Sequence, residues 1–106
     1  MSEEGLSTMF LRDTQGRVLH EDVDIPCGAG KDPHRSHAAV DAAYAVMRDG
    51  FRVLSFEIAR NVLRIRVGLR EGDGVEDEQR ARIRTRVREV FDPVFALHLE
   101  RKDELR

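Results

Sequence analysis

The stretch "FRVLSFEIARNVLRIRVGLR", residues 51–70, limits the fold of this chain more than any other. Leu54, Phe56 and Ile58 recur at every second position, and so do Leu63, Ile65, Val67 and Leu69. A side-chain period of two belongs to a strand with one face buried. Between the runs stands Arg60–Asn61, and asparagine accepts the positive φ that a tight hairpin turn requires. Two antiparallel strands, about 51–59 and 62–70, are expected. A lone hairpin does not hold in water, so other segments must cover its apolar face.

Two segments have the pattern to do so. Asp32–Pro33 reads as a helix start, a capping carboxylate followed by proline at the first helical position. That helix should run to about Asp49, with Ala39, Val40, Ala43, Val46 and Met47 as its apolar stripe and Gly50 ending it. Five alanines make it thin enough to lie close to its neighbours. A second helix is expected over about 75–91, burying Ile83, Val87, Val90 and Phe91, with Asp73 and Glu76 as an Asp-x-x-Glu capping box. Its early acidic and later basic residues suit the helix dipole.

Further strands are expected at 6–12 and 17–25, joined by a turn at "DTQG". In the latter, Leu19, Val23 and Ile25 share one face, yet Glu21 falls on that apolar side. After Asp92–Pro93 the tail reads either as a third helix or as a strand over 94–100 with Phe95, Leu97 and Leu99 inward; the strand is the preferred reading. The sum is an α+β two-layer sandwich, an antiparallel sheet with two helices on one face in the order ββαββα(β). From residue 17 onward this is ferredoxin-like by topology, an analogy that carries no function. The strands at 6–12 and 94–100 then compete for one sheet edge. All 106 residues are read as one domain, with 1–5 and 102–106 as flexible ends.

Composition excludes more than it identifies. With 41% hydrophobic and 36% charged residues the chain is of the globular class, and a net charge of -2 selects no partner. The acidic "MSEEGLST" is not a signal peptide, and no run approaches the roughly 20 apolar residues that span a bilayer. The lone Cys27 forms no internal disulfide, so a cytoplasmic protein without membrane contact is expected.

Chemistry concentrates in "CGAGKDPHRSH", residues 27–37. Cys27, His34 and His37 are candidate metal ligands, His34 and His37 being three apart on one helix face. Against them stands the absence of the paired, short-spaced ligands of structural zinc sites. Lys31 and Arg35 near a helix start are candidate anion-binding residues. Gly30–Lys31 is followed by Asp32 and Pro33, however, a carboxylate and a missing N–H where a phosphate loop needs donors. Cys27 as nucleophile has no recognisable oxyanion hole beside it. No cofactor is expected.

Of the 18 basic residues all but Lys31 and Lys102 are arginine. Arg80, Arg84 and Arg88 form one helical stripe, but acidic residues intersperse it, which is the pattern of a solvated face. On the outer sheet face, His20, Asp22 and Asp24 should confront Arg64 and Arg66 as a cross-strand ladder. That face lacks the stacking aromatics of an RNA-binding sheet. Arg64, Arg66, Arg84, Arg88 and the interface-type residue Tyr44 are therefore candidate protein-contact residues. The expected function is a small non-catalytic protein-binding or self-associating module, most simply a homodimer. The alternatives are a metal- or anion-dependent enzyme or ligand-binding protein centred on 27–37, and nucleic-acid backbone binding through 80–88.

Overall fold

The computed structural model describes residues 9–30 and 32–104, the side chains of 102–104 excepted. Five elements form in the order β1 (His20–Pro26), α1 (Pro33–Arg48), β2 (Val53–Ala59), β3 (Val62–Gly68) and α2 (Glu76–Glu104). The sheet is antiparallel and three-stranded, in the order β1-β3-β2. Both helices pack on its apolar face, where Val23, Ile25, Leu63, Ile65 and Val67 join Ala39, Ala43, Val46, Ile83, Val87 and Phe91 in one core. The class is therefore α+β, as expected from the sequence.

The hairpin forms where alternation placed it, with two differences. The positive φ of 59° falls on Arg60 rather than on Asn61. Asn61 is held from behind: its backbone carbonyl accepts the N–H groups of Cys27 and Gly28 at 2.7 and 3.2 Å. Its side-chain Oδ1 accepts that of Gly30 at 2.9 Å. Second, a β-bulge between Val53 and Ser55 inserts a residue. The extra residue resets the alternation, so Val53 joins the core while Leu54 stays 41% exposed.

The tail is not a strand. Helix α2 runs on through Pro93 to Glu104, so the fourth strand of a ferredoxin-like sheet does not form. The reason lies in spacing. Val87, Phe91 and Phe95 follow one another every fourth residue, Val90 and Val94 lie beside them, and all join or pack on the core. The Phe91 and Phe95 rings stack at 5.5 Å. This burial outweighs the loss of one hydrogen bond at proline. Of the expected flexible ends, 1–5 lie outside the described residues, and the backbone of 102–104 continues α2.

Helix α1 starts and stops as its sequence signals. Asp32 accepts the N–H groups of His34 and Arg35 at 3.0 and 3.4 Å, and Gly50 follows the end with φ 101°. Its buried face is Ala38, Ala39, Ala42, Ala43 and Val46. That face is turned from the expected one because α2 as well as the sheet covers it, which leaves Met47 40% exposed. Asp73 does not cap α2. Its carboxylate pairs with Arg70 at 3.3 Å, and the Val75 carbonyl accepts the Gln79 N–H at 2.9 Å.

Glu21, the acid on the apolar side of β1, is the partner of two arginines of α2. Arg80 Nη1 and Arg84 Nη1 each donate to it at 2.8 Å. Of the strand expected at 6–12, residues 6–8 lie outside the described residues. The remainder makes isolated bridges, Phe10 with Arg70 and Arg12 with Val18, instead of a continuous edge strand. The "DTQG" turn is present, the Gly16 N–H donating to the Asp13 carbonyl at 3.0 Å.

Candidate functional site

The loop 27–30 is built inward. Its Cys27, Gly28 and Gly30 N–H groups are all taken by Asn61, and the first free N–H groups of α1 are taken by Asp32. Among the described residues no row of donors is left to cradle an anion. Lys31 lies outside the described residues. Arg35 turns back over the loop, donating from Nε to the Cys27 carbonyl at 2.8 Å, with its guanidinium 5.4 Å from the centre of the Phe95 ring. The Cys27 side chain is buried.

His34 and His37 do not converge with Cys27. They face the C-terminal half of α2, where the His34 Nε2 lies 2.9 Å from the His98 carbonyl oxygen. Asp41 Oδ2 lies 3.1 Å from His98 Nε2 and 3.6 Å from His37 Nε2. This arrangement joins the two helices. Among the described residues no group of three or more His, Cys, Asp or Glu side chains is arranged to hold a metal ion. The helical tail brings His98 to this place, so reading the tail as a strand hid the contact.

The arginines named as contact residues are each engaged within the chain. Arg64 donates from Nε and Nη2 to Asp24 at 2.7 and 3.0 Å, and Arg66 likewise to Asp22 at 2.9 and 3.1 Å. The expected ladder across β1 and β3 is thus present. Hydrogen bonds from Arg66 and Arg64, outweighing partial burial, hold the Asp22 and Asp24 carboxyls below their ordinary values. Burial raises the Glu21 carboxyl, but the hydrogen bonds of Arg84 and Arg80 together bring it below its ordinary value. On α2, Arg84 meets Glu21 and Arg88 meets Asp92 at 3.0 Å. Each of these cations thus has a carboxylate beside it.

The open edge of β2 differs in kind. Among the described residues no strand pairs with it on the side away from β3. Ala59 and Val62 flank the two-residue turn and face each other, so they form the hydrogen-bonded pair of the hairpin. The Gly68 N–H donates to the Arg52 carbonyl at 2.9 Å, in keeping with that parity. Phe56 and Ile58 therefore direct their N–H and C=O groups outward. Tyr44 of α1 stands beside this edge. Tyr44 packs edge-on against the Phe56 ring at 5.6 Å yet is 46% exposed, and Met47 lies three residues on along α1. Tyr44, named from the sequence as an interface-type residue, lies at the margin of the core. Met47 and Leu54 were assigned inward and are exposed instead.

At the other side of the sheet, a side chain bridges the start of β1. Arg80 reaches over it and donates to the His20 carbonyl at 2.6 Å. Such plugging is a common defence of sheet edges. Among the described residues no helix is long and apolar enough to cross a membrane. No protein family, curated protein or solved structure matches this chain.

Proposed function

We propose that this chain is a non-catalytic protein-binding module that takes up an extended segment at the β2 edge, a second copy of itself being the simplest partner. One observation carries the reading: the outward backbone groups of Phe56 and Ile58 lie beside the exposed Tyr44, on an edge that no described strand covers. Strand addition to such an edge uses main-chain hydrogen bonds for affinity and neighbouring apolar side chains for selection. The internal pairing of Arg64, Arg66, Arg84 and Arg88 supports a backbone-led mode over a charge-led one. It also weighs against nucleic-acid binding, which needs cations free to replace counterions. A cytoplasmic setting suits the single cysteine, since a reducing compartment keeps it a thiol.

A synthetic peptide with the sequence of residues 52–60 is a direct probe of the edge. Titrated into the labelled protein, it is expected to shift the backbone amide resonances of Phe56 and Ile58 and the ring resonances of Tyr44. Shifts confined to the outer sheet face or to α2, or no shifts at millimolar peptide, would contradict the reading.

A further inference from the structure

We infer that the strand occupying this edge is β2 of a second copy, paired antiparallel about a two-fold axis through Phe56. The inference rests on the reading of β2 as a strand-accepting edge and adds the partner and the register.

The register follows from parity, charge and the bulge. An axis through Phe56 opposes two outward-bonding residues, so the two Phe56 residues exchange a pair of N–H to C=O bonds. An axis one residue later would set Glu57 against Glu57 of the second copy, a like-charge pair directly opposite. An axis further toward the start of the strand would pass into the bulge between Val53 and Ser55, where the ladder is interrupted. An axis through Ile58, the other outward-bonding residue, would carry the ladder into the turn at Arg60, where φ is 59°, which leaves Phe56 as the centre.

This register is electrostatically self-complementary. Val53 packs on the core while Arg52, Ser55 and Glu57 are exposed, so these three mark the outer face of β2. About Phe56, Ser55 faces Glu57 of the second copy. Arg52 and Ser55 sit opposite Gly68 and Arg66 on β3, two ladder positions apart, because the bulge absorbs the extra residue. Glu57 of the second copy is therefore the diagonal neighbour of Arg52, within reach of a long side chain. The two-fold repeats the pair, as any isologous contact does. Among the described residues Arg52 makes no ion pair within its own chain, while Glu57 stands opposite Arg64, whose guanidinium is already held by Asp24. On the opposite face the two Phe56–Tyr44 pairs come together and shield their apolar surface from water.

Sedimentation velocity over a concentration series, on the wild-type chain and three charge variants, tests this. Arg52 and Glu57 are exposed, so none of the variants alters the core. The wild-type chain is expected to form a concentration-dependent dimer. Glu57→Arg and Arg52→Glu, each of which sets like charges side by side, should each raise the dissociation constant by about tenfold or more. The double variant Arg52→Glu/Glu57→Arg restores the pairing with signs exchanged and should recover the dimer. A dimer indifferent to both single changes overturns the inference, because its contact lies elsewhere. A chain that stays monomeric yet binds the 52–60 peptide at β2 also overturns it, while leaving the edge as a site for another protein. A chain that does neither removes the underlying reading as well.

Discussion

Glu21 shows how a residue that violates a pattern marks a contact. On a strand with an apolar inner face, a carboxylate at an inward position needs a partner, since burying it unpaired is costly. Here Arg80 and Arg84 supply two. Replacing Glu21 by Gln leaves both guanidinium groups with a weaker acceptor and is expected to cost about 1–2 kcal/mol in urea unfolding; no measurable loss would mean the pair is solvated and idle. The acids also set the pH response. Glu21, Asp22 and Asp24 lie below their ordinary values of 4.5, 3.8 and 3.8 in the folded chain. Their contribution to stability is present above those values and is lost as pH falls through the lowered ones. Thermal unfolding midpoints should thus be level from pH 7 to roughly 5 and fall steeply below about 4. A midpoint that rises on acidification would show that these pairs do not stabilise the fold. Sequence gave notice of Glu21 as an anomaly but not of its partners. It gave none of Gln79, the buried polar residue whose Oε1 accepts the Arg70 N–H at 2.7 Å and whose Nε2 donates to the Arg70 carbonyl at 3.1 Å. Nothing in local pattern distinguishes that glutamine from its exposed neighbours.

Among the elements, those with a strict period and a stop signal were legible and those at odds with a single local rule were not. The hairpin alternates, and α1 has Asp32–Pro33 before it and Gly50 after it, so both stand close to where they were expected. The sequence reading ends the second helix at about residue 91, ahead of Asp92–Pro93, although the apolar spacing of Val87, Phe91, Val94 and Phe95 continues past it. Tertiary burial of that stripe against α1 overrides the local cost of proline. Pro93 is itself exposed, so its ring contributes little packing. Pro93→Ala restores the hydrogen bond to the Glu89 carbonyl and is expected to stabilise the protein by about 1–3 kcal/mol in denaturant midpoint. A loss of stability would instead show that the helix depends on a deformation which proline maintains. The bulge at Val53–Ser55 escaped the sequence reading for a different reason. Alternation across 53–58 is satisfied by either Val53 or Leu54 inward, and pairing with β3 decides between them.

As a whole the molecule is elongated, 52 × 27 × 21 Å, because α2 alone spans about 43 Å at the helical rise per residue. At one side of its sheet Arg80 bridges the start of β1, and at the other β2 is left with outward main-chain groups beside the exposed Tyr44. Residues 94–100 are helix rather than strand, so they claim no sheet edge; among the described residues β1 and β2 are the two edges of the sheet, and no strand lies beside β2 on the side away from β3. The central claim, that this edge accepts a strand, is tested most directly by amide hydrogen exchange resolved by residue at low and high protein concentration. The N–H groups of Glu57 and Ser55 point toward β3 and should be protected at both. Those of Phe56 and Ile58 should exchange rapidly when dilute and gain protection as concentration rises or as the 52–60 peptide is added. Rapid exchange at Phe56 and Ile58 under all these conditions would contradict the account.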